Sequence, residues 1–226
     1  MEVIKRIVSA IKSEPAKTVA MIGSDAAVEA LVDKDGPLAI VPFGTSAVAI
    51  MKLFGTYRDH RLLEKINDFL DEISNLTWSE RSRVVDELAG DASKEEKVGR
   101  LIMDTIDRCD EDDKPRLIGK LFVAVGRGEL EASDFLRLSR VINRSEVDDL
   151  RSLATSDGLS GVDEERKYAL QAVGLARWET QTPESNTNAY ESTYDLARIL
   201  LDSAPEIKWS ITSDARMIVK HCFSEH

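Results

Sequence analysis

Apolar residues recur at intervals of three and four through most of this chain, the spacing that lines one face of an α-helix. Val3, Ile4, Ile7, Val8 and Ile11 make such a face near its start. Leu62, Leu63, Ile66, Phe69, Leu70 and Ile73 make another, followed by Val98, Leu101, Ile102 and Ile106. Leu117, Ile118, Leu121, Phe122 and Val125 form the next stripe, and Phe135, Leu136, Leu138, Val141 and Ile142 the one after it. Helix-starting and helix-ending residues fall between these stripes. Ser13 ahead of Pro15 is an N-cap with proline in the first turn, and Ser24 can cap a helix running to Val32. Thr77-Trp78-Ser79-Glu80 is a capping-box pattern, opening a helix through Leu88 that Gly90 ends. Ser93 with Glu96 repeats the device, Gly126 and Gly128 stop the stripe before them, and Ser145 caps a short helix over Val147 and Leu150. From Arg61 to Leu153 this predicts about five helices joined by short turns, hence antiparallel neighbours in a bundle.

The pattern changes after Thr155. Ser156-Asp157-Gly158 and Ser160-Gly161 make a joint, and a helix over residues 162–173 ends at Gly174. Residues 175–180 and 189–192 read as two strands around the polar loop QTPESNTN, with Tyr190 across from Trp178. A helix over 194–203 follows, and Ser213 caps a last one through Phe223. This order of helix, strand, polar wing, Tyr-containing strand and helix resembles the second half of a winged-helix domain, over residues 145–203. The expected fold is therefore mainly α: a multi-helix bundle with a small C-terminal winged-helix-like α+β segment. Three stretches result: N-terminal helices over 1–60, the bundle over 61–155, and the winged-helix-like segment over 156–226. Residues 60–155 are also similar to small helical proteins of unassigned function from bacterial genomes. Asp68-Phe69-Leu70, Lys120-Leu121-Phe122, Asp134-Phe135-Leu136-Arg137-Leu138 and Asp149-Leu150-x-x-Leu153 carry that likeness, and it implies no activity.

One stretch departs from the helical rhythm. Residues 36–51, GPLAIVPFGTSAVAIM, carry no charge in a chain that is 31% charged. A bilayer-spanning helix needs about 20 apolar residues, and Pro42 and Gly44 break this shorter run. The leading expectation is a turn followed by a buried helix over 45–54. The alternative is a membrane or partner contact through residues 36–54, with Phe43, Ile50, Leu53 and Phe54 at the boundary. The preceding helix has a basic face but no aromatic anchor, so docking on the protein body is favoured for it. Lys5, Arg6 and Lys12 interrupt its apolar residues, unlike a secretory leader.

Composition narrows the partners. With 42% hydrophobic residues the chain is ordinary globular material, and its formal charge is −11. Residues 1–60 are neutral; 61–160 hold 16 basic against 23 acidic residues, and 161–226 hold 7 against 11. Phosphate contacts need clustered Lys and Arg, so nucleic acid and anionic lipid are disfavoured. A DNA-reading winged helix would rely on Arg166, Lys167 and Arg177, among Asp163, Glu164, Glu165, Glu179, Glu184, Glu191 and Asp195. Two distant cysteines, Cys109 and Cys222, suit a reducing cytoplasm.

No catalytic, cofactor or metal motif emerges. Gly128 through Phe135 imitates the second half of an EF-hand, yet the early ligand positions would be Val123, Val125 and Arg127. The cluster Asp107, Asp110, Glu111, Asp112, Asp113 lacks the central glycine and terminal glutamate of a calcium loop. Gly119-Lys120 lacks the spaced glycine of a P-loop, and Gly126-x-Gly128 does not continue into a dinucleotide fingerprint. His221 and Cys222 are sequence neighbours and face different sides of a helix. The expectation is thus a non-enzymatic protein-interaction or regulatory module of a bacterial cytoplasm, without cofactor. Its partner-binding residues are Trp178, Tyr190, Tyr194, Asp110, Asp112 and Asp113. A protein partner is expected, a homo-oligomer stays open, and a conditional membrane-associating effector of a defence response is the second reading.

Overall fold

The computed structural model describes residues 8, 11–12, 57–90, 95–156, 158–181 and 206–224. Its elements are α1 (Tyr57–Ile73), α2 (Trp78–Ala89), α3 (Glu95–Asp107), α4 (Lys114–Gly126), α5 (Ala132–Arg144), α6 (Val147–Thr155), α7 (Glu164–Ala172), β1 (Ala176–Gln181), β2 (Glu206–Ile211) and α8 (Ser213–Ile218). A π-helical turn, Val219–Phe223, continues α8. The protein is mainly α with a small C-terminal α+β segment, as the periodicity predicts. The chain divides into two compact units, Met1–Val147 and Asp148–His226.

The first unit is built around α4. Eleven of its thirteen residues are buried, because its sequence is apolar on nearly every side. Phe122 stands at its centre, edge-on to Phe69 of α1 at 5.6 Å and to Phe135 of α5 at 5.9 Å. Each such T-shaped pair adds about 0.5–1.5 kcal/mol beyond the area it buries. Gly119 lets α1 and α4 approach closely: a Cβ there would lie 2.7 Å from Glu72 Cβ. Ile66, Ile73, Ile102, Ile106, Leu138 and Ile142 from the predicted stripes complete this core, together with Val84 and Val85 of α2.

The Thr77 capping box forms as predicted. Thr77 N donates to Glu80 Oε2 at 2.7 Å, and Glu80 N donates to Thr77 Oγ1 at 3.4 Å. The hydrogen bonds from Thr77 hold the Glu80 carboxyl below its ordinary pKa. Gly90, with φ 67°, closes α2 by donating to Asp86 O at 2.9 Å. Arg83 ties this helix to α4 by donating to Gly126 O. Ser145 departs from the expected N-cap role. Its hydroxyl turns back to donate to Val141 O at 2.9 Å, and Val147 N donates instead to the Glu111 carboxylate at 3.0 and 3.3 Å. A carboxylate is the stronger acceptor, so it takes the helix terminus.

At the start of the chain Val8 and Ile11 are helical and buried, and Lys12 Nζ pairs with Asp86 Oδ1 at 3.2 Å. These residues dock on the first unit, as favoured for the N-terminal helix. The predicted caps Ser13, Ser24 and Ser93, the uncharged run over 36–51 and the rest of the candidate contact segment to 54 lie outside the described residues. Among the described residues no helix is long and apolar enough to cross a membrane.

In the second unit, Asp163 caps α7, accepting from Arg166 N at 2.9 Å. The helix ends in paired bonds from Leu175 N to Leu170 O and from Gly174 N to Gln171 O, at 2.8 and 2.9 Å. This Schellman arrangement needs a left-handed residue, which Gly174 supplies with φ 83°. The chain then enters β1, whose antiparallel partner is β2. That pairing places Trp209 across from Trp178. The predicted strand over 189–192 and helix over 194–203 lie outside the described residues. The final cap also moves by one residue, from Ser213 to Thr212. Thr212 Oγ1 accepts from Ala215 N at 3.3 Å and lies 2.9 Å from Gly174 O, to which it can donate.

Candidate functional site

The pleat of the two strands sorts their residues onto opposite faces. Ala176, Trp178 and Thr180 share one face with Ile211, Trp209 and Ile207; Arg177 and Glu179 share the other with Ser210 and Lys208. Tyr168 of α7 meets Trp209 edge-on, with ring centroids 5.1 Å apart and an interplanar angle of 84°. This sets three aromatic rings and Ile207 together on an uncharged surface.

The surface is only partly covered. Tyr168 is 50% exposed, Trp178 43% and Ile207 52%. Trp209 is half-buried, and Ala176 anchors the sheet beneath. Among the described residues four large apolar side chains are exposed, the fourth being Trp78 on α2. Three of the four therefore converge on this one face. Scattered exposed apolar residues are normal, whereas a contiguous aromatic group is the hallmark of a contact surface. The supporting helix is itself lightly anchored: α7 buries only Leu170.

Three cations around this face are already engaged. Arg166 pairs with Asp163 at 3.4 Å and Asp149 at 3.8 Å, and Lys167 with Glu164 at 2.6 Å. Arg177 pairs with Glu179 at 3.8 Å and donates to Ser210 Oγ at 3.1 Å. The three side chains a DNA-reading helix would use each hold a carboxylate.

The predicted acidic residues lie in the first unit, in the turn before α4. Lys114, 1% exposed, places its ammonium 2.5 Å from Asp110 Oδ1 and 3.1 Å from Glu111 Oε1. Burial opposes its charge, but the hydrogen bonds to Asp110 and Glu111 outweigh that and raise its pKa. The same bond from Lys114 lowers that of Asp110. Asp112 binds Arg61 at 2.9 Å, and Lys65 donates to the Cys109 carbonyl. Asp113 occupies the N-cap position of α4 without a side-chain cap bond. Cys109 Sγ lies within hydrogen-bond reach of Asn143 Oδ1 at 3.2 Å, and burial pushes its thiol up to about 12, so it carries no thiolate at neutral pH. The turn is an internal electrostatic latch as much as an outward acidic surface. Among the described residues no group of three His, Cys, Asp or Glu is placed to hold a metal ion.

Tyr190 and Tyr194, with Phe43, Ile50, Leu53 and Phe54, lie outside the described residues. The sequence reading includes Trp178 but omits Trp209, Ile207 and Tyr168. The signal for β2 is present: Glu206-Ile207-Lys208-Trp209-Ser210-Ile211 alternates strictly between polar and apolar. Comparison with protein families, with curated proteins and with solved structures finds no match to this chain.

Proposed function

We propose that this protein is a non-enzymatic interaction module, whose C-terminal unit docks a protein partner through Trp178, Trp209, Tyr168 and Ile207. The observation that carries this reading is the clustering, among the described residues, of three of the four exposed large apolar side chains on one uncharged face. Aromatic anchors dominate binding energy at protein interfaces, since they bury large area at small entropic cost. At about 25 cal/mol per Å², covering roughly 300 Å² here contributes about 7 kcal/mol before the cost of association is subtracted. The pairing of Arg166, Lys167 and Arg177 leaves the aromatic face little to attract phosphate, which favours protein over duplex DNA there. The net charge of −11 selects a partner with a basic or mixed-charge rim, bound less tightly as salt rises. Buried thiols at Cys109 and Cys222 fit a reducing cytoplasm.

The test compares the wild-type protein with a Trp178→Ala/Ile207→Ala variant as affinity baits at low and high salt. The reading expects proteins that the wild-type bait retains at low salt to be lost from the variant, with circular dichroism unchanged. Identical recoveries from two folded baits would refute it.

A further inference from the structure

A second feature of the C-terminal unit lies away from the aromatic residues. A cavity of about 330 Å³ is lined by Leu153, Ala154, Ser156 and Gly158 on one side. Ile211, Ala215, Arg216, Val219, Lys220 and Ser224 line the other. Its volume is at the lower end of the range for small-molecule pockets. Its apolar lining comes from five aliphatic side chains, its polar lining from two hydroxyls and two cations.

The cations set the chemistry. Arg216 and Lys220 are four residues apart, one turn along the stretch where α8 becomes the π turn, so both project to the same side. Asp214, two residues before Arg216, projects elsewhere on the helix. Both cations are solvent-exposed, and neither forms an ion pair among the described residues. Elsewhere in this unit Arg151, Arg166, Lys167 and Arg177 each hold a carboxylate. Among the described residues no carboxylate lines the cavity. In a protein of charge −11, two cations with no ion pair among the described residues, set over an aliphatic floor, form a local positive site. The π turn widens the helix where Val219 and Lys220 face the cavity, a distortion that recurs at functional sites.

From this geometry we infer that the cavity binds a small amphipathic anion, a carboxylate or phosphomonoester carried on a compact apolar body. The anionic group lies between Arg216 and Lys220, with Ser156 and Ser224 as added donors. The apolar body rests on Leu153, Ile211 and Val219.

Isothermal titration calorimetry on the full chain tests this with four probes: phenyl phosphate, benzoate, neutral benzamide and inorganic phosphate. Saturable one-to-one binding of phenyl phosphate or benzoate is expected, with benzamide and inorganic phosphate at least about tenfold weaker. Arg216→Gln/Lys220→Gln should weaken the anionic probe by about tenfold or more without altering the circular dichroism. Ala154→Trp, which fills the cavity and leaves both cations in place, should abolish binding. Three results would each overturn the inference: no saturable binding of either aromatic anion, unchanged affinity in the double variant, or equal affinity for inorganic phosphate. None bears on the docking residues Trp178, Trp209, Tyr168 and Ile207, which are absent from the cavity lining.

Discussion

Lys114 predicts an asymmetry between two ways of breaking the same ion pairs. The lysine is 1% exposed, while the Asp110 and Glu111 side chains keep 68% and 35% of their surface. In Asp110→Asn/Glu111→Gln the buried ammonium loses both counter-charges and water cannot fully replace them. Leaving a buried charge uncompensated costs about 3–5 kcal/mol. In Lys114→Met the orphaned groups are the carboxylates, which can hydrate, and the methionine retains the apolar stem. That cost is about 1 kcal/mol, near the net worth of a hydrogen bond. The glutamine at 111 still offers an oxygen to Val147 N, so the difference reports on Lys114. Urea unfolding followed by far-UV circular dichroism should place the amide variant well below the methionine variant in midpoint at similar slope. Equal midpoints, or the reverse order, would refute the reasoning. The pH dependence has a fixed sign. Asp110 is depressed in the fold, so its contribution is present above its unfolded pKa of about 3.9 and is lost as acid titrates the folded carboxyl. Lys114 is raised, so its contribution is present below about 10.4 and is lost as base titrates the folded ammonium. The gap between the variants and wild type should therefore be flat across neutral pH and shrink at both extremes.

Gly119→Ala should destabilise the first unit by about 1–2 kcal/mol in the same assay, since the overpacking of about 1–3 kcal/mol exceeds the helix-propensity gain of about 1 kcal/mol. A rise in stability would mean that α1 and α4 are not in close contact at Glu72. Thr77→Ala should cost about 1 kcal/mol through loss of the α2 cap, whereas Ser145→Ala should leave the α6 terminus intact because Glu111 holds Val147 N. Comparable losses at α6 from Ser145→Ala and Glu111→Ala would contradict that assignment. Ellman's reagent at neutral pH should label neither Cys109 nor Cys222 rapidly in the native protein and both after unfolding. Fast native labelling of Cys109 would show that its site admits solvent.

The helical stripes were legible because each combines a 3.6-residue period with its own start or stop signal, as Thr77-Glu80 and Gly90 do for α2. Gly174 likewise marks the end of α7. Ser145 was misread because a serine before a helix is a generic cap, while the group that displaced it, Glu111, arrives from a distant turn. No local pattern encodes that competition. The sheet was half legible. Trp178 lies in a recognisable strand, whereas β2, which pairs with it, comes from the alternating residues 206–211, too far along the chain for a local turn signal to link the two. The candidate face inherits both halves: Trp178 was accessible to sequence reasoning, whereas its neighbours Trp209 and Tyr168 meet only through tertiary packing. Buried Lys114 was equally hidden, since a lysine in an acidic stretch reads as a solvated charge.

The claim that the C-terminal face is where this protein meets its partner is tested most directly by photo-crosslinking in cells. A benzophenone side chain is placed in turn at positions 178 and 207, and at the exposed Arg140 of α5 as a control. The account predicts the same crosslinked protein from 178 and 207, none from 140, and disappearance of the adduct when Tyr168→Ala/Trp209→Ala accompanies the probe. Adducts that form equally from 140, or that persist in the aromatic-deficient variant, would contradict it.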